Sequence, residues 1–187
     1  GLAFLSSGLL YRYSSYLLLN FKPKDKFNFI KKKIKRLDYK KLSLLNLHTP
    51  EISALSAKIA TISRIRNILK NYQKEFIRKH SRCVLEGRDS STKILPSSDI
   101  KFFFICSLNT AAKRRYKELK IKSKKIKFGE VKKALFMRNK MDKTRSISPL
   151  QKHRDAVVIN TTKIGKKAML VKMSTHVEKI LKKKYES

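Results

Sequence analysis

The stretch Arg82-Cys83-Val84-Leu85-Glu86-Gly87-Arg88-Asp89 decides how this chain is read. A short apolar run stops at a charged corner opened by glycine, the pattern of a strand in a parallel sheet followed by a tight turn. Open α/β sheets bind ligands at the carboxyl ends of their strands, so Arg88 and Asp89 stand where binding chemistry is expected. Arg88 has the fork to pair with a phosphate; Asp89 can meet a hydroxyl, an amino group or a metal. A surface turn with a local ion pair fits the same four residues, and spacing alone leaves both readings open.

Working outward, two more apolar runs have the same character. Ile100 to Cys106 is rich in aromatics and Ala156 to Ile159 is Ala-Val-Val-Ile; with Arg82 to Glu86 they are predicted to be buried parallel strands. Helical periodicity fills the intervals. Leu9 to Leu19 suits a helix packed on a sheet. Ile52, Leu55, Ile59, Ile62, Leu69, Tyr72 and Phe76 recur three, four or seven apart and predict one long helix with a single buried stripe. Asn109 to Leu119 and Glu130 to Arg145 are also predicted helices, and a last one uses Leu170, Met173, Val177, Ile180 and Leu181. The Lys-dense Lys22 to Lys41 reads as a mobile or peripheral segment, and Leu42 to Leu47 as a short strand ended by His48-Thr49-Pro50. Strands alternating with helices argue an α/β fold, a parallel sheet flanked by helices, and 187 residues suit a single domain.

Composition narrows the function classes. Lys and Arg number 47 against 13 Asp and Glu, a formal charge of +34, which predicts non-specific affinity for polyanions, nucleic acid included, that weakens with salt. A solvated lysine surface, as a coding bias toward AT-rich codons would produce, is the plainer account of the excess. No uncharged apolar run reaches the ~18 residues of a membrane span, and no secretory signal is evident, so a cytoplasmic protein is expected. Cys83 and Cys106 cannot build a disulfide framework or a four-ligand zinc site, and His48, His80, His153 and His176 lack metal spacing; no metal ligands are expected. Five glycines leave no room for a glycine-rich phosphate loop. The nearest imitation, Asn160 to Lys167, lacks its first glycine and its hydroxyl and reads as a strand end and turn.

Two further constellations carry chemistry. Arg138, Asp142 and Arg145 stand at i, i+4 and i+7 of one predicted helix, two guanidinium forks with a carboxylate between them, able to grip phosphate while the Asp holds an arginine or accepts from a sugar hydroxyl. An ordinary i,i+4 pair is the plainer account. Ser7-Gly8-Leu9-Leu10-Tyr11-Arg12 is a small-residue turn opening a helix, and it reads either as an anion site or as a plain N-cap.

Taken together in this order, the pieces resemble bacterial cytidylate kinases, nucleoside-monophosphate kinases of the P-loop class. Ser7 to Arg12 looks like the family's S-G-x-x-Y-R, and Ser56 to Ala60 with Arg64 to Leu69 looks like its S-x-x-A-x-x-x-x-V-R-x-x-L helix. Residues 85–96 are similar to x-x-G-R-D-x-G-T-V-V-x-P, with Asp99 to Phe104 following as A-x-x-K-I-F-L does. Arg114-Arg115 matches its R-R helix, and Arg138 to Leu150 matches the lid pattern R-D-x-x-D-x-x-R-x-x-x-P-L.

The resemblance implies a three-layer P-loop kinase fold over residues 1–187, with a short monophosphate-binding insert at 21–50 and a lid at 121–150. It implies γ-phosphoryl transfer from ATP, with Mg²⁺, to CMP or dCMP in pyrimidine nucleotide metabolism, by a monomer. Carried over by position, Arg12, Arg88 and Arg145 would hold the acceptor phosphate. Arg66 and Asp89 would read the cytosine, Arg138 with Asp142 would meet the sugar, and Ser7 and Tyr11 would line the pocket. Arg88, Arg138 and Arg145 would be the catalytic charges, since phosphoryl transfer asks mainly for positioning and neutralisation. Asn139 departs from the family's lid Asp, Ser91 departs from the Gly after G-R-D, and the insert is short. The first strand, the phosphate loop and most of the next helix are expected to be missing before Gly1, which would leave a gap in the centre of the sheet and no residues here for the ATP phosphates. A relative that binds nucleotide or RNA through its basic surface and catalyses nothing is the alternative.

Overall fold

The computed structural model describes residues 1–122 and 125–185, so part of the Lys120 to Lys127 cluster and part of the 121–150 segment lie outside the described residues. The chain forms two compact units, Gly1–Leu95 with Met141–Gln151, and Pro96–Lys140 with the residues from Lys152 onward. The fold is mixed α/β, with small parallel sheets flanked by helices.

The first unit opens on a strand that the sequence did not announce, β1 (Ala3–Ser6). Its apolar residues run straight into those of the next helix, so no turn signal separates them. β1 pairs in parallel with β2 (Cys83–Glu86), Ala3 opposite Cys83 through Ser6 opposite Glu86. Burial is uneven: Leu5 and Ser6 are buried, whereas Phe4 and its partner Val84 are exposed. Expected full burial fails here: the pleat sends Phe4 and Val84 to the face opposite Leu5, and there they stay open to solvent.

Helix α1 (Ser7–Phe21) starts where Ser6 Oγ accepts from the Leu9 amide, and stops where Lys22 turns left-handed and its amide reaches Leu18 O. The Lys-rich segment after it is no mobile appendage. Asp25 caps α2 (Lys26–Lys35) by accepting from the Phe27 and Asn28 amides, and Ile30 and Ile34, one turn apart, are buried in the core with Leu42 and Leu47. The strand expected at Leu42 to Leu47 is instead a tight 3₁₀ turn, Tyr39–Leu44, capped by Asp38.

The long helix predicted from Ile52 to Phe76 is two helices, α3 (Pro50–Ile59) and α4 (Ser63–Lys79). Periodicity survives the break because both helices bury the same stripe: Ile52 and Ile59 on α3, Ile65 and Leu69 on α4. After β2 the chain enters a widened helical turn, Ser90–Ile94, in which the Asp89 carbonyl accepts from the amides of Thr92, Lys93 and Ile94.

The second unit contains β3 (Phe102–Ile105), α5 (Leu108–Lys122), most of α6 (Phe128–Thr144), β4 (Val157–Asn160) and α7 (Lys166–Tyr185). β3 and β4 pair in parallel, Phe102 opposite Val157 through Ile105 opposite Asn160. Beyond β4, the Arg114 guanidinium ties down the turn by donating to the carbonyls of Thr161 and Ile164. The core here is thin. Among the described residues, four buried apolar side chains lie in this unit, Ala112, Val131, Ala156 and Ile159, against thirteen in the first. Phe104, Ile105 and Val158, expected to be buried, are substantially exposed. Cys83 and Cys106 are half-buried and free.

Candidate active site

The carboxyl end of β2 delivers Arg88 and Asp89, and α4 delivers Arg66 to meet them. Arg66 lies one turn into α4 on its buried face, beside Ile65 and Leu69. Its Nη2 pairs with Asp89 Oδ2, and both side chains are below a tenth exposed. Its Nη1 donates to the Ala60 carbonyl at 3.0 Å, so the arginine also closes the end of α3 at the break between the helices. The guanidinium carbon sits 5.7 Å from the centre of the Tyr11 ring, a cation–π distance.

A second carboxylate joins the group from the last turn of α6. Asp142 is buried; its Oδ2 meets Arg88 Nε at 3.1 Å and its Oδ1 meets Arg145 Nη1 at 3.3 Å. One carboxylate therefore bridges two guanidiniums. Arg145 is nearly fully enclosed, whereas Arg88 is well exposed. Desolvation, with repulsion from Arg66, draws the Arg145 pKa below the usual arginine value, against the pull of Asp142, Asp89 and Tyr11. Burial pushes the Tyr11 phenol up to about 12, with Arg66 and Arg145 acting downward and Asp89 upward. Tyr11 is thus neutral, and three guanidiniums meet two carboxylates: a cationic cluster suited to hold an anion.

Ser7 and Arg12 are held by other partners. Ser7 Oγ donates to Gln73 Oε1 at 2.6 Å, and the Gln73 amide is oriented by its Nε2 donating to Leu69 O. Ser7 also crowds Gly87: a Cβ on that glycine would stand 2.9 Å from Ser7 Oγ and 2.4 Å from Ser90 Oγ, so the two turns meet only because residue 87 has no side chain. Arg12 Nη1 donates to Leu47 O at 3.0 Å and to Ser53 Oγ at 2.8 Å. Arg138 is half-buried on α6 and belongs to the second unit.

Gln73 and Ser53 were missed in the sequence. A polar residue on the buried stripe of α4, seven after Arg66, was the available signal for Gln73; Ser53, flanking the α3 stripe, offered none. Tyr39, whose hydroxyl accepts from the Ser6 amide at 2.6 Å, was likewise unannounced.

The described residues do not form a cage for Mg²⁺. No three His, Cys, Asp or Glu side chains converge among them, and Asp89 and Asp142 are both paired with arginines. No described helix is long and apolar enough to cross a membrane.

A cytidylate kinase of Thermosipho melanesiensis is 35% identical over 179 residues, covering 88% of this chain and 80% of the relative. One from Carboxydothermus hydrogenoformans is 31% identical over 186 residues, covering 91% and 83%. Another, from Bartonella tribocorum, is 34% identical over 180 residues, covering 95% and 83%. The family model described as cytidylate kinase matches residues 1–179, and the chain belongs to the cytidylate kinase family.

Proposed function

We propose that this protein is a (d)CMP kinase that transfers the γ-phosphoryl group of ATP to CMP or dCMP, giving CDP or dCDP, as a cytoplasmic monomer serving pyrimidine nucleotide metabolism. The observation that carries the reading is the cluster of Arg66, Arg88 and Arg145 around Asp89 and Asp142, in which three guanidiniums outnumber two carboxylates. Arg88 and Arg145, with Arg12, bind the acceptor phosphate. The Arg66–Asp89 pair offers donors beside an acceptor, which complements the carbonyl and ring nitrogen of cytosine beside its amino group. Asp142 and Arg138 meet the sugar, and Ser7 and Tyr11 line the pocket. Arg88, Arg138 and Arg145 spread positive charge over the phosphoryl group in flight. Residues 21–50 form the monophosphate-binding insert and 121–150 the lid of one kinase domain spanning 1–187. Mg²⁺ accompanies ATP in this reading, without a carboxylate cage from the described residues.

The test is calorimetric titration with CMP, dCMP, UMP and AMP, coupled to an assay of ATP-dependent CDP formation. Saturable, cytosine-selective binding that weakens in both Arg88→Ala and Arg145→Ala is expected; unchanged CMP affinity in both variants overturns the assignment. The charge of +34 favours one second reading, a non-catalytic protein that binds RNA. It requires RNA affinity that falls steeply with salt and is indifferent to CMP.

A further inference from the structure

We infer that Ser148 is a positioning residue for Arg145, and that its left-handed backbone presets the guanidinium for an incoming phosphate; this rests on the proposed role of Arg145. Ser148 has φ 50°, one of two non-glycine residues with positive φ among those described. The residue that follows is Pro149, which by itself drives its predecessor toward extended backbone. A left-handed serine before proline is therefore strained, and such strain persists only where surrounding bonds over-determine it.

Two bonds do so here. The Ser148 carbonyl accepts from Arg145 Nε at 2.7 Å, and the Leu150 amide, just past the proline, donates to the Asp142 carbonyl at 2.6 Å. The turn thus folds back on the helix end that carries both site residues. With Nε on Ser148 and Nη1 on Asp142, two edges of the planar guanidinium are fixed. Among the described residues nothing engages its Nη2 edge, which stays available to an anion. The Ser148 hydroxyl makes no bond to the described residues, so what position 148 contributes is backbone direction. Were 148 to relax to extended backbone, Asp142 alone would hold Arg145 and the fork could swing about that single contact. An arginine already oriented loses less freedom on binding phosphate, and the cost of losing that order falls on phosphate affinity rather than on the fold.

The experiment uses the full chain with Ser148→Gly, Ser148→Val and Arg145→Ala, and titrates CMP and cytidine separately. Glycine adopts positive φ freely and is expected to leave CMP affinity at the wild-type value. Valine, β-branched, resists it and is expected to weaken CMP by about tenfold while leaving cytidine affinity unchanged, the signature of a lost phosphate contact. If Ser148→Val does not fold, Ser148→Thr makes the same comparison with a milder penalty and an expected loss of about threefold. Equal losses for CMP and cytidine, or a folded valine or threonine variant with unchanged CMP affinity beside a weakened Arg145→Ala, overturn the inference alone. Unchanged CMP affinity in Arg145→Ala overturns the role of Arg145 and the inference with it.

Discussion

Arg66 and Asp89, 23 positions apart, form an ion pair from which solvent is almost wholly excluded. The pair joins α4 to the turn after β2 and ties the candidate base-reading residues to the architecture. Because Arg66 also bonds the Ala60 carbonyl, it fixes the geometry between α3 and α4 as well.

Removing either partner leaves a buried charge alone. Asp89→Ala and Arg66→Ala are each expected to destabilise by about 3–5 kcal/mol in urea denaturation, and an apolar pair, Arg66→Met with Asp89→Leu, to recover most of that while losing CMP binding. Single variants that cost less than about 1 kcal/mol would show the pair to be solvated.

Asp142 neutralises two arginines, so its loss should be felt twice. In Asp142→Ala, Arg145 faces Arg66 without its carboxylate and Arg88 is released to solvent; CMP affinity is expected to drop by about tenfold or more and the melting temperature to fall. Calorimetry together with a thermal melt checks both. A fall in melting temperature alone would make Asp142 purely structural.

Tyr11 should be the late-titrating tyrosine. Its phenol is held near 12 in the folded state against 10 as its ordinary value, so the fold favours the protonated form. The stability from this shift is whole below pH 10 and is lost as pH rises from 10 through 12, roughly 3 kcal/mol at about 1.4 kcal/mol per unit. The difference in tyrosinate absorbance between wild type and Tyr11→Phe isolates the group. A midpoint near 10 in that difference would contradict the enclosure of Tyr11.

Gly87→Ala should strain the meeting of the two turns. The new methyl would overlap Ser90 Oγ at 2.4 Å and press on Ser7, costing about 1–3 kcal/mol. Adding Ser90→Ala removes the closest atom and should restore part of the loss, though Ser7 remains. Additive destabilisation in the double variant would refute the steric account.

The thin core of the second unit predicts uneven protection. Amides of Ala112, Val131 and Ile159 are expected to exchange hydrogen faster than those of Leu10, Ile65 and Leu69, by amounts reflecting local opening. Hydrogen-exchange mass spectrometry of the full chain reads both units at once. Equal protection across them would mean that sparse burial there costs no stability.

Much was determined by sequence alone, wherever the cause is local. The strands at Cys83–Glu86, Phe102–Ile105 and Val157–Asn160 follow from apolar runs ended by turn residues, and α5, α6 and α7 follow from their periodicity. Asp142 with Arg145 was legible because that ion pair spans one turn, whereas Arg88 and Asp89, adjacent in sequence, take partners from other elements. What tertiary structure alone decided is long-range. β1 exists because β2 lies beside it; α2 is ordered because Ile30 and Ile34 find a core that their lysine neighbours conceal; and the helix from Ile52 breaks at residues 60–62, where Arg66 takes a terminal carbonyl. Asp142 meets Arg88, and Ser7 meets Gln73 across 66 positions, only when the chain has closed. Periodicity records which face of an element is buried, but a hydrogen bond between distant side chains is set by the packing of whole elements, and no local pattern encodes it.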